Sequence, residues 1–396
     1  MDKILRIAVV SDLHCHNLNN NLMKDGSPYQ ESLILTDKKT PIFQNPFESL
    51  KYLIEEEVDR DKYKVDLLFM PGDITNKACP EGIEKGYEIL REMKALFGAD
   101  HLISNIGNHD IDSRKVHNSE PLDSISKLPE DYPFDNKKWN QTFWKKGYAV
   151  LDFEDFIILA VNSVHNHVDV ANVDHGYVDL DTLQVIDKEL SKIKKDRVGV
   201  VISHHCPIEH SHFDSGTGDN IHHGDTLSKK MDKHNFSLFI HGHKHDPRLR
   251  TLPGGANAPY LFSSGSFSAF QSKLLLGATN TFHIIEIYLD GKFKGKGKIK
   301  TWFFAITEGW TTNDNQYFNH EVGFGAYADI NEMSVEICNK IKASNGQICA
   351  WDEILNSFPS VNFLMTEDIK TLKTKLGNLG ILFSSDLPSF LQYKER

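Results

Sequence analysis

Strand-sized apolar runs recur at residues 4–11, 65–71, 102–106, 156–161, 198–203, 236–241 and 260–264, each bounded by Gly, Pro, Asp or Asn. Between them, residues 46–57, 81–97 and 180–194 return apolar side chains at helical spacing. This alternation predicts an α/β chain. Residues 282–289 and 295–304 then flank Asp290-Gly291, a signal for a tight hairpin, so the α/β part is expected to end in antiparallel strands. After a polar, Asn-rich link beyond Trp310, residues 330–342, 350–357 and 366–376 read as helices, and 381–383 opens a strand, turn and strand running to Tyr393. The chain thus divides, on this reading, into a domain over 1–310 and a small, mostly helical domain over 311–396 whose element order is similar to a winged helix. Residues 17–45 and 210–225 read as insertions, of the kind that form lids beside a site.

The polar residues stand where the apolar runs end. Asp12 and His14 close the first, Asp73 follows the second, Asn108 and His109 the third, His204 and His205 the fifth, and His243 and His245 the sixth. The C-terminal rim of an α/β sheet is where ligands bind, so groups far apart in sequence are expected to meet there. Within a group, residues two apart on extended backbone share a side, which would align Asp12 with His14 and His243 with His245. Mixed imidazole and carboxylate donors suit Mn, Fe, Zn or Co better than a calcium cage or a thiolate site. Seven such donors, Asp12, His14, Asp73, Asn108, His205, His243 and His245, are too many for one ion; shared through Asp73 they divide between two ions roughly 3.5 to 4 Å apart, an arrangement used for displacement at phosphorus. Each residue alone has an ordinary reading, Asp12 or Asn108 as a turn former and His14 or His205 as a hydrogen-bonded core histidine. The ordered set is what favours metal.

Composition narrows the field further. The chain has 396 residues, 40% hydrophobic and 25% charged, as expected of a folded globular protein. Its net charge of -11 disfavours a long polyanion as substrate. The apolar stretch at residues 7–10 is too short for a membrane span and no signal-peptide pattern follows it; five scattered cysteines include no CxxC pair. A cytoplasmic protein with reduced thiols is the expectation.

The ordered series Asp12-Leu13-His14, Gly72-Asp73, Gly107-Asn108-His109-Asp110, His205 before Pro207, and Gly242-His243-Lys244-His245 resembles the complete motif set of the calcineurin-like metallophosphoesterases. The resemblance implies a four-layer α/β/β/α sandwich that hydrolyses phosphoesters with a hydroxide held between two ions. It implies one ion on Asp12, His14, Asp73 and His245 and another on Asp73, Asn108, His205 and His243, with Mn expected and Fe, Zn, Co or Ni as alternatives. His205 is preferred to His204 because the family's ligand stands two residues before the proline. His109 is implied as general acid or hydrogen-bond donor, with Asp110 as its orienting partner, and Gly72, Gly107 and Gly242 as points where backbone turns sharply beneath the ions. The text departs from the Ser/Thr phosphatases, which would read Gly-Asp-x-x-Asp-Arg-Gly and Gly-Asn-His-Glu. Asn76 stands where purple acid phosphatases place a tyrosine. What remains is similar to the bacterial phosphodiesterase branch, including class III cyclic nucleotide phosphodiesterases, and implies phosphodiesters of nucleotides or other small molecules as substrates. The rivals are a nuclease acting on DNA or RNA and a metal-stabilised scaffold or sensor.

Four further features have ordinary explanations beside sharper ones. His210, His212, His222 and His223 read as a solvated loop, or else as substrate contacts or a third metal site. Cys206 reads as a small buried residue. Lys292, Lys294, Lys296, Lys298 and Lys300 alternate along one strand and read as protection of a sheet edge, or else as a phosphate-binding stripe. The C-terminal region, near neutral in charge, is expected to serve protein contact or homo-oligomerisation rather than DNA reading.

Overall fold

Runs that are apolar at every position form the inner strands of two facing sheets. The computed structural model describes residues 3–23, 25–116, 120–123, 125–167, 173–193, 197–211, 218–254, 258–274, 277–289, 295–313, 318–326, 329–384 and 390–394. They form two compact units, one of Met1–Gly295 with Lys300–His320 and one of Lys296–Ile299 with Glu321–Arg396.

In the first unit, β1 (Lys3–Val9), β2 (Leu67–Met70) and β3 (His101–Ser104) run parallel. They are joined by β12 (Thr281–Leu289), β13 (Lys296–Ala305) and β14 (Gly309–Thr311) in the order β14-β13-β12-β1-β2-β3. β12 pairs antiparallel with β1, from Lys3 opposite Leu289 to Val9 opposite His283. The second sheet has the order β10-β11-β9-β7-β5-β4, built from β4 (Tyr148–Asp152), β5 (Phe156–Val161), β7 (Val198–Ser203), β9 (Phe236–His241), β10 (Arg248–Thr251) and β11 (Tyr260–Ser263). β5, β7, β9 and β11 are parallel, and β7 and β9 are buried throughout, as strands covered on both faces must be.

The outer face of this sheet packs Leu159, Val201 and Phe239 against Leu183 and Ile186 of α4 (Leu180–Leu190) and Leu227 and Met231 of α5 (Gly224–Lys233). Its inner face meets the first sheet, where the ring of Phe262 lies 4.9 Å from that of His283. Asn105, just past β3, fastens the two: its Nδ2 donates to the carbonyls of Val161 (2.8 Å) and Ile202 (3.1 Å). α1 (Pro46–Glu55) and α2 (Pro80–Leu96) lie against the first sheet, with Trp310 Nε1 of β14 donating to the Pro46 carbonyl at 2.8 Å. The layers are helix, sheet, sheet and helix, the architecture that the family resemblance implies.

Local chemistry sets the helix starts. Asn45 accepts from the amides of Phe47 and Glu48 with Pro46 in the first turn of α1, and Asp179 accepts from Thr182 at the start of α4. α3 (Lys137–Lys146) begins the same way on Asn136 and packs beside β4.

Two expectations are corrected. Residues 210–225 are not loop throughout, because Ile221–His222 forms β8, paired with β6 (Gly176–Tyr177), and α5 begins at Gly224. β13 is not an edge strand, since it lies between β12 and β14. Its lysines are used internally: Lys300 Nζ is 3.4 Å from Glu286, and Lys298 Nζ is 2.8 Å from Asn362 Oδ1. Asp290, Gly291, Lys292, Lys294 and His212 lie outside the described residues.

The second unit contains β15 (Glu321–Phe324), α6 (Ile330–Ala343), β16 (Ile348–Ala350), α7 (Trp351–Ser357), α8 (Thr366–Asn378), β17 (Ile381–Phe383) and β18 (Phe390–Tyr393). Its three-stranded sheet has the order β16-β18-β17, and Ile337, Ile341, Ile354, Leu372, Leu376 and Leu391 fill its core. Among the described residues no helix is long and apolar enough to cross a membrane.

Candidate metal centre

The polar residues at the strand ends are held by unusual backbone. Asp12 (φ 55°), His14 (φ 47°), Asp73 (φ 61°), His243 (φ 69°) and His245 (φ 50°) are all left-handed. The extended backbone expected to align Asp12 with His14 and His243 with His245 is therefore absent. Each such residue costs roughly 1–3 kcal/mol, and this kind of strain gathers at functional sites. Hydrogen bonds between loops hold it in place: Asp12 N–H to Gly72 O (3.1 Å), His14 N–H to Asp73 O (3.0 Å) and Gly242 N–H to His204 O (3.1 Å). The His243 amide donates to both Asp12 carboxylate oxygens, at 3.1 and 3.2 Å.

Side chains from these loops converge. His14 Nε2 is 2.9 Å from His245 Nε2, 3.8 Å from Asp12 Oδ1 and 3.7 Å from Asp73 Oδ2. His245 Nε2 is 3.4 Å from Asp12 Oδ1, and its Nδ1 donates to the Lys273 carbonyl at 3.3 Å, which turns Nε2 inward. On the other side, Asn108 Oδ1 is 3.0 Å from His204 Nε2 and 3.2 Å from His243 Nδ1.

Of the two adjacent histidines, both in the donor cluster, His204 is the nearer to Asp73. Its Nε2 lies 3.3 Å from Asp73 Oδ2 as well as beside Asn108, whereas His205 Nδ1 is bonded to Ser163 Oγ at 2.8 Å. Strand alternation is the reason. Val201 of β7 faces α4 and α5, so Val200, Ile202 and His204 face the other sheet and His205 follows Val201 outward. His205 still stays close, its ring 4.4 Å from that of His243, and its Nε2 is buried with no hydrogen-bond partner among the described residues.

The donor types fit divalent metal ions. Carboxylate, amide-carbonyl and imidazole lone pairs face one another, and three overlapping sets, Asp12/His14/His245, Asp12/Asp73/His204 and His204/His205/His243, each keep their ligand atoms within 4.8 Å. Burial holds His14, His205 and His243 well below the usual histidine range, so they are neutral, the form that binds metal. Burial opposes protonation of His204 too, but the Asp73 carboxylate outweighs it and lifts the group to about 9. That attraction marks where positive charge is favoured.

His109 stands at the edge, its ring 4.8 Å from that of His14 and its amide donating to Asp73 Oδ1 at 2.8 Å. The expected partner of its side chain is corrected. His109 Nδ1 bonds Asn76 Oδ1 at 2.7 Å, while the Asp110 carboxylate accepts from the amides of Asp73 (2.9 Å), Gly107 (2.8 Å) and Thr75 (3.1 Å). Asp110 thus braces two ligand loops from beneath. The motif comparison marks Asn76 only as the place of a missing tyrosine; the signal for its role is a side-chain acceptor three residues past Asp73.

The glycines act mainly through space. Of the three expected at turns, Gly72 alone has a left-handed φ, 137°. A Cβ at Gly107 would stand 2.0 Å from Asp73 Oδ1, and one at Gly242 would stand 2.4 Å from Asp12 Oδ2. Cys206 is buried, which pushes its thiol up to about 12 and leaves it a small apolar filler. Lys244 Nζ reaches Asp219 (3.1 Å) and Glu209 (3.7 Å), and Asp219 in turn lies 3.9 Å from His243 Nε2.

The profile of the calcineurin-like phosphoesterases matches residues 5–247. No curated protein matches the chain. Among solved structures it is similar to a dimetal phosphatase from Danio rerio, at 11% identity over 80% of this chain and 99% of that one, with a TM-score of 0.49. It is also similar to a purple acid phosphatase from yellow lupin (Lupinus luteus) seeds, at 13% identity over 76% of this chain and 52% of that one, with a TM-score of 0.44. With the profile spanning the strands and loops that gather Asp12, Asp73, Asn108 and His243, the chain belongs to the calcineurin-like phosphoesterases, a family of metal-dependent phosphoester hydrolases.

Proposed function

We propose that the chain hydrolyses phosphodiesters of nucleotides or other small molecules, using one divalent ion on Asp12, His14, Asp73 and His245 and a second on Asp73, Asn108, His204 and His243. The convergence of these donors around Asp73, with His109 beside them, is the observation that carries this reading. Such ions, Mn being the expected choice, polarise a phosphoryl group and lower the pKa of water. Asp73 presents one oxygen toward both donor sets. Asn76 accepts the Nδ1 proton of His109, which leaves Nε2 as the nitrogen that takes up a proton from solvent when the phosphoryl group binds and passes it to the leaving oxygen. Burial first, and His14 next, keep His109 neutral before substrate enters; an anionic phosphoryl group favours its charged form. Net charge of -11 supports small diesters over polynucleotides.

Metal-stripped protein resupplied with Mn should cleave bis-p-nitrophenyl phosphate faster than p-nitrophenyl phosphate, and Asp73→Asn should abolish both activities. Preference for the monoester would overturn the diester assignment. Two ions bound per chain without hydrolysis of either compound would favour the scaffold.

A further inference from the structure

A cavity of about 830 Å³ opens on the side of the second sheet to which His205 points, lined by His167, His175, Tyr177, His222, His223 and Glu209 among others. It is one histidine away from the metal donors. The His167 ring lies 6.0 Å from that of His205, which is in turn 4.9 Å from His204 and 4.4 Å from His243. Gly176, also on the cavity wall, allows this contact, since a Cβ there would stand 2.8 Å from His205 Cβ.

The lining has a definite chemistry. Tyr177 and His222 are register partners in the β6–β8 ladder, with ring planes 7° apart and centroids 5.6 Å apart, and His223 adds a third ring 4.1 Å from His222. They form a partly exposed aromatic shelf. On the same lining, His167 Nε2 donates to the His175 carbonyl at 2.5 Å, and its Nδ1 is buried with no hydrogen-bond partner among the described residues. The described lining includes the carboxylates of Glu209 and Asp225 and no lysine or arginine. A phosphate would be repelled here; a flat, neutral heteroaromatic ring with N–H donors suits both the shelf and His167 Nδ1.

Arg114 follows the Asn108-His109 loop in sequence and pairs with Asp174, the neighbour of His175 on the cavity wall. Arg114 Nη2 is held by Asp174 at 3.2 Å, while its Nη1 is buried and has no hydrogen-bond partner among the described residues. A guanidinium with a spare buried donor is suited to a phosphoryl oxygen.

We infer that the cavity receives a nucleobase-like group of the substrate and that Arg114 binds the anionic phosphate next to it. This names a substrate class for the phosphodiester reading and rests on it. The test is calorimetric titration of the Mn-loaded protein with AMP and with inorganic phosphate. AMP should bind at least about tenfold tighter than phosphate, one to two stacking contacts being worth that much. The double variant Tyr177→Ala/His222→Ala should erase the margin and leave phosphate affinity unchanged. Arg114→Ala should weaken both ligands about tenfold, and Arg114→Lys should recover part, with unchanged thermal melting in each variant. Equal affinity for AMP and phosphate, no binding of AMP, or a margin that survives the double variant would overturn the inference. Hydrolysis without the margin sinks the cavity alone; the margin without hydrolysis sinks the hydrolase reading and leaves a nucleotide-binding site.

Discussion

Buried histidines occur in two settings within the first unit. Between the sheets, His283 donates from Nε2 to the Ser264 carbonyl at 2.7 Å and accepts at Nδ1 from the Thr301 hydroxyl at 2.8 Å. Both nitrogens belong to the fold. At the rim, His14 Nε2 faces His245 Nε2, and His205 Nε2 lacks a partner among the described residues. Burial is the same in both settings; satisfaction is not. An unpaired buried polar atom costs about 1–3 kcal/mol, so a cluster of them persists where something besides the chain completes it. The ordinary reading of a rim histidine as a core residue therefore has a control in the same molecule, and the rim does not resemble it.

The sharpest break would come from His204→Ala. Hydrolysis should fall about a thousandfold and elemental analysis should find one ion per chain, whereas His205→Ala should keep two; the opposite pattern would return His205 to the ligand position. Next, His109→Ala should lower kcat by roughly 10²–10⁴ with both ions retained. Unchanged turnover would remove it from the chemistry.

His283 should report on the other setting through pH. Burial lowers its pKa to about 4 from 6.5, so the unfolded chain takes up the proton first. The stability that His283 contributes is complete above pH 6.5 and is lost as pH falls toward 4, about 3 kcal/mol in all. Urea unfolding of metal-free protein at pH 7 and pH 4, compared with His283→Gln, measures this; an equal acid loss in the variant would show that His283 is not its source. The smallest effect expected is from Asn76→Ala, about tenfold in kcat with a shifted pH profile, because it frees the His109 ring without removing it.

Much of this was legible in the sequence, and for definite reasons. β5, β7 and β9 are mostly apolar and nearly wholly buried because both faces are covered, so their positions follow from composition. β10, reading Arg-Leu-Arg-Thr at a sheet edge, offers no such run, and α3 and α5 carry too many lysines for their buried faces to stand out. The rim donors were readable as residue types. Their geometry was not, because neither Asp nor His announces a left-handed backbone as glycine does. Which of His204 and His205 lies nearer Asp73 turns on one step of strand alternation, which a motif spacing does not encode.

The pairing of β1 with β12 also has a meaning in time. The strand that delivers Asp12 and His14 is made first, yet its antiparallel neighbour spans Thr281–Leu289, and His243 and His245 come only shortly before that. During synthesis the N-terminal strand must wait for most of the chain to emerge before its sheet is flanked on both sides, a long-range closure of the kind that makes folding slow. On the proposed assignment, the donor set is complete only once residue 245 has been made.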